Sequence, residues 1–179
     1  STSRRQRQMC IRDRCTGTLI NNTDNDGKPY LLTASHCLNK QFTMKNPDYE
    51  KIAGSIVCFF NFNSPFCDPI LRGTEEMSTA STYFKAVNEM ADMALLELTA
   101  TPPVYYRPYY AGWNAQEVGP APYTCIQHPQ YSVKRISISD EDLAPFTLTD
   151  PNMIFYKNAH WHVKTWEVGY TAVSYTHRR

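Results

Sequence analysis

The stretch CTGTLINNTDNDGKPYLLTASHC, residues 15–37, decides how the rest of the chain is read. Its two apolar runs, TLI and YLLT, flank a polar segment containing Asp26, Gly27 and Pro29, which is the composition of a hairpin turn. The second run ends on His36, which Cys37 follows directly, while Cys15 opens the first. A Cys15–Cys37 disulfide would staple the start of the hairpin to the turn bearing His36. A general base has to be held in one place and one rotamer, and a cross-link at the adjacent residue supplies that restraint. A lone histidine is ordinarily solvated or satisfied within a core. The T-A-x-H-C context singles His36 out.

The same texture continues outward. SIVCFFNF, STYFKAV, MALLEL, PYTCIQH, VKRISIS, MIFYK and HVKTW are short β-rich runs separated by turn residues, so the fold class is all-β. Helix is expected only as one turn at 35–38 and a short piece near Glu75. Pro102, Pro103, Pro120 and Pro122 lie between MALLEL and YTCIQH, and such a cluster cannot occupy a central strand. A linker between two β units is expected there. No internal repeat, heptad pattern or low-complexity tract interrupts this organisation.

Composition removes several function classes. The 179 residues carry 18 Lys and Arg against 17 Asp and Glu, a formal net charge of +1, so no basic stripe is available for nucleic acid. No apolar run approaches the roughly 20 residues that a helix needs to cross a bilayer. Six cysteines without a C-x-x-C pair point to disulfides rather than zinc, and hence to a secreted or periplasmic protein. The opening STSRRQRQMCIRDR lacks the apolar segment of a secretory signal, so the native N-terminus is expected upstream.

The two ends share a coding relationship. Val173-Ser174-Tyr175-Thr176-His177 can be encoded GTC TCT TAT ACA CAT, and the reverse complement of that sequence translates as Met9-Cys10-Ile11-Arg12-Asp13. This resembles a translated transposon-type adaptor flanking an insert. Residues 1–14 and 173–179 are accordingly expected to be non-native tails, with Cys10 not a native cysteine.

LLTASHC resembles the histidine box of chymotrypsin-fold serine proteases. CTGTLINNT, SIVCFFNFNSPFC, ADMALLEL, YYAGWNA, IQHP, KRIS and VKTWEVGYTA extend the likeness, in order, to the secreted bacterial lysyl endopeptidase group of trypsin-like enzymes. The resemblance implies a chymotrypsin-like double β-barrel. Its first barrel would span residues 15–100, and a linker with an incomplete second barrel would span 101–172. It also implies His36 as general base and Asp92, just ahead of MALLEL, as the carboxylate that fixes the imidazole tautomer. Without that role, Asp92 would merely cap a turn. The third member should be a serine in a G-x-S-G turn, whose backbone N–H groups also form an oxyanion hole. The chain holds no such motif: after GYTA it runs into VSYTH. Ser55, Ser64, Ser78 and Ser81 lie in the half that bears His36, and Ser132, Ser137 and Ser139 lack that glycine-flanked turn. The chain as written is thus expected to be inactive although related to an active endopeptidase. Its partner would be a protein or peptide substrate and the chain a monomer, with no cofactor, metal, nucleic acid or membrane involved. Cleavage after lysine is implied by the likeness alone.

The resemblance also leaves Cys67 unpaired, its family partner lying upstream. Cys58 and Cys125 depart from the pattern and could pair with each other or stay free. His160 and His162, at i and i+2, could bind a metal, but with no third ligand nearby an exposed strand face is favoured. Tyr105, Tyr106, Tyr109, Tyr110 and Trp113 are read as packing between the two units. Two rival functions are a non-catalytic protease homologue that binds a protein partner and a disulfide-stabilised β binding domain of other ancestry. His36 and Asp92 far apart would favour the latter.

Overall fold

A computed structural model describes residues 15–65, 73–114, 119–129 and 132–169. Among them strands dominate, with one α-helix and a few 3₁₀ turns, as the all-β reading requires. The opening hairpin forms as expected: β1 (Thr18–Ile20) pairs antiparallel with β2 (Tyr30–Thr33), Leu19 opposite Leu31. The turn between them is anchored by Asp26, whose carboxylate accepts from the Lys28 N–H and the Asn22 side chain.

β2 is also paired with β6 (Met93–Leu98), and β6 in turn with β5 (Thr82–Asn88), giving a four-stranded antiparallel sheet of order β1-β2-β6-β5. The period-2 pattern of MALLEL explains its burial. Ala94, Leu96 and Leu98 point into the core while Met93, Leu95 and Glu97 lie on the other face. Leu19, Leu31 and Leu38 meet them there, and each fully buried leucine contributes on the order of 2 kcal/mol of hydrophobic stabilisation. Thr33 is opposite Ala94, so the end of β2 and the start of β6 lie side by side. That register carries the residues after Thr33 towards those before Met93.

The core is closed by α1 (Tyr49–Gly54), which was not anticipated from the sequence. The Asp48 carboxylate caps it by accepting from the Lys51 N–H at 3.1 Å. Ala53 is fully buried, and its carbonyl accepts from the Thr82 hydroxyl at 2.8 Å, which ties the helix to β5. Among the described residues no helix forms near Glu75: residues 75–77 bend into β4 (Ser78–Ala80), the partner of β3 (Val57–Phe59).

Beyond the prolines, β7 (Tyr123–Gln127) pairs with β8 (Arg135–Ser139), and β9 (Ala144–Phe146) with β10 (His160–His162). MIFYK forms no strand; its first residue, Met153, closes a turn against Asp150 and the rest runs on from it. The strand expected at HVKTW lies earlier, at His160–His162. The β7–β8 ribbon is inside out for an isolated sheet. Ser137 and Ser139 are fully buried, whereas Ile126 and Ile136, paired with each other, are 58% and 55% exposed. An open apolar face and the lack of hydrogen-bonded closure among the described residues are what an incomplete barrel presents.

The proline-rich segment runs beside β1, exchanging hydrogen bonds through Ala111 with Leu19 and Asn21. Its aromatics only partly meet the packing expectation. Tyr106 is buried against Phe60 and Tyr110 packs on the core, but Tyr105, Tyr109 and Trp113 are 70%, 81% and 62% exposed. Aromatic content alone did not distinguish rings turned inward from those on the solvent side of an extended segment.

Candidate active site

His36 sits in a 3₁₀ turn, Ser35–Cys37, that follows β2 directly. The Cys15–Cys37 disulfide closes beside it, with a Cα–Cα distance of 6.2 Å. Asp92 lies between the 3₁₀ turn Glu89–Ala91 and β6, in the left-handed region at φ 50° and ψ 46°. Aspartate tolerates that conformation better than most residues. It lets the chain reverse within one residue and sends the carboxylate towards the end of β2.

The two side chains meet. His36 Nδ1 is 2.7 Å from Asp92 Oδ2. An ionised carboxylate can only accept, so the imidazole proton belongs on Nδ1 and the basic lone pair on Nε2. Asp92 Oδ1 accepts from the His36 backbone N–H and from the Ser35 hydroxyl, both at 3.0 Å. Burial by itself would raise the Asp92 carboxyl. The hydrogen bond and charge of His36, then its backbone N–H and the Ser35 hydroxyl, outweigh that and hold it below the usual carboxylate range. A carboxylate kept ionised in a mostly buried position fixes the imidazole tautomer and stabilises an imidazolium.

The turn before Asp92 is itself held. The Asn88 side chain accepts from the Ala91 N–H, and the Glu89 carboxylate receives Asn39 Nδ2 at 2.8 Å and the Tyr49 hydroxyl. Asn39 is almost fully buried, its amide also exchanging hydrogen bonds with the Met44 backbone. Burial, followed by the hydrogen bond to Glu89, pushes the Tyr49 phenol upward, so it stays a donor. Neither this network nor the Ser35 hydroxyl was predicted. Ser35 stands in TASHC next to His36, but nothing in that string announces a second donor to Asp92.

The remaining candidates have other surroundings. Cys15 and Cys37 lie near enough to His36 for a shared metal, but their sulfurs are bonded to each other and neither is a thiolate ligand. Cys58 and Cys125 are both free thiols, not a pair; burial pushes Cys58 up to about 11 and Cys125 in the same direction. Cys10 and Cys67 lie outside the described residues. His162 is exposed and stacks on Phe146 as expected for a strand face. His160 departs from that expectation by turning inward, where Nε2 meets the Ala91 carbonyl at 3.1 Å.

The sequence pattern of the family described as lysyl endopeptidase, C-terminal domain, matches residues 3–173. The chain belongs to this family. A curated relative, the lysyl endopeptidase of Pseudomonas aeruginosa, is 26% identical over 125 residues, covering 69% of this chain and 25% of the relative. The chain thus spans about a quarter of that lysyl endopeptidase's length.

Proposed function

We propose that this chain carries the general base and orienting carboxylate of a secreted serine endopeptidase. The single observation behind it is the 2.7 Å contact between His36 and Asp92 in a member of the lysyl endopeptidase C-terminal domain family. In the parent enzyme a serine from outside residues 15–172 attacks the scissile carbonyl while His36 Nε2 takes its proton. Asp92 stabilises the resulting imidazolium. That proton passes to the leaving amine as the acyl-enzyme forms, and water then releases the acyl group by the same route in reverse. Residues 15–100 supply this pair from a first barrel, and 101–172 begin a second. Cleavage after lysine is supported by the family and relative only. Without a G-x-S-G turn, the 179-residue chain itself is inactive.

The test is the product of the continuous natural reading frame, assayed on lysyl peptide substrates. His36→Ala and Asp92→Asn should each lower kcat by about 10⁴, with the protein still folded. Variants as active as the parent would refute the assignment. A non-catalytic homologue is favoured by one fact, the missing nucleophile motif, and the same assay decides it: a continuous frame that encodes no G-x-S-G and yields no hydrolysis would establish that reading. A β binding domain of other ancestry is disfavoured by the family match and by the proximity of the two side chains.

A further inference from the structure

Two consecutive carbonyls of the turn that aims Asp92 are engaged by residues more than sixty positions later in the chain. The Glu89–Ala91 turn has three backbone carbonyls. That of Glu89 accepts from the Asp92 N–H at 3.0 Å, within the turn. The Met90 carbonyl accepts from the Tyr156 N–H at 2.9 Å, and the Ala91 carbonyl from the ring of His160 at 3.1 Å. A carbonyl cannot donate, so His160 carries its proton on Nε2. Its Nδ1 is buried without a hydrogen-bond partner among the described residues. A buried unpartnered nitrogen is costly, and an apolar ring of similar size would avoid that cost. What the imidazole supplies and such a ring could not is an N–H donor to the Ala91 carbonyl.

The packing runs in the same direction. The ring of His160 meets the edge of buried Phe155 at 5.9 Å, Phe155 meets Phe42 at 5.4 Å, and Phe42 meets His36 at 6.5 Å. Phe42 holds φ 53°, a left-handed conformation unfavourable for a bulky residue. The ring contacts place this aromatic between His36 and the segment bearing His160.

We infer that His160 is a positioning residue for the His36–Asp92 pair: by donating Nε2–H to the Ala91 carbonyl it fixes the turn from which Asp92 projects, so the geometry of the acid–base pair depends on the C-terminal half of the chain. This rests on the pair acting as proposed above. The signals that report it are independent of hydrolysis and need no nucleophile.

The experiment uses the full chain and nuclear magnetic resonance. Two signals are followed: the hydrogen-bonded His36 Nδ1 proton and the carboxyl carbon of Asp92 through an acid titration. His160→Phe keeps a ring against Phe155 and removes the donor. In that variant the His36 Nδ1 proton should exchange with solvent at least tenfold faster, and the Asp92 midpoint should rise as the stabilising contacts loosen. His160→Gln, whose amide N–H can reach the same carbonyl, should restore both. A folded His160→Phe chain with both signals unmoved overturns the inference, as does a Gln variant no better than Phe. If His160→Phe does not fold, His160→Asn, too short for the contact, takes its place with the same two outcomes. A parent chain lacking the Nδ1 signal would overturn the pair itself, and the inference with it. A parent that shows the signal, lost in Asp92→Asn but indifferent to His160, overturns the inference alone.

Discussion

Ser35→Ala is the sharpest probe of the pair, because it removes one donor and leaves the rest of the site in place. The Ser35 side chain is fully buried and its hydroxyl donates to Asp92 Oδ1 at 3.0 Å. A hydrogen bond to a charged group contributes about 1.5–3 kcal/mol. Here the lower end applies, since Oδ1 still accepts from the His36 N–H at 3.0 Å and is not orphaned. The expected loss is therefore about 1.5 kcal/mol near pH 7. The sign of its pH dependence follows from Asp92. Its carboxyl is depressed in the folded chain, so its contribution is present above the unfolded value of about 3.9 and disappears as pH falls through the folded value. Urea titrations of parent and variant should thus differ by the full amount near neutrality and converge in acid. An equal difference at both pH values would mean that the hydroxyl merely fills space, and would refute its role as a donor to an ionised carboxylate.

Two further predictions concern the frame around the site. Replacing Cys15 and Cys37 together by alanine opens a loop of sequence separation 22, for which chain-entropy arithmetic gives a loss of about 3 kcal/mol; denaturant midpoints check it, and a loss below about 1 kcal/mol would show that the hairpin is held without the bond. Gly169→Ala should destabilise the chain by on the order of 1–3 kcal/mol, because φ is +76° and a Cβ would lie 2.4 Å from the Ile136 carbonyl oxygen; a thermal melt identical to the parent's would refute that close approach.

The parts legible in the sequence share one property, namely that their physics is local. The hairpin reads from Asp26-Gly27 between two apolar runs, and β6 reads from a period of two in MALLEL. His36 reads from its place between a strand and a cysteine. What escaped depends on partners distant in sequence. α1 is only six residues long and presents no long amphipathic repeat; its signals, Asp48 as cap and Gly54 at the end, are also those of an ordinary turn. MIFYK looks like a strand, yet Phe155 is buried because Phe42, more than a hundred residues earlier, offers its ring. His160 and His162 have one spacing and two fates, since Ala91 lies beneath the first and Phe146 stacks on the second.

The same distinction explains how the site is built. β2 and β6 are adjacent, and Thr33 opposite Ala94 brings their ends together, so the backbone alone delivers His36 and Asp92 to one end of the sheet's two central strands. Delivery is not alignment: a hydrogen bond between imidazole and carboxylate weakens steeply with angle. On the histidine side, alignment comes from the disulfide at Cys37 and from the His36 N–H bound to the carboxylate it faces. On the aspartate side it comes from a left-handed residue after a short turn, and a turn of three residues has few bonds of its own. Its firmness is borrowed, from Asn39 and Tyr49 through Glu89 on one side and from Tyr156 and His160 through the Met90 and Ala91 carbonyls on the other. A hairpin fragment ending near β6 would therefore keep both residues close while losing half of what orients the acid.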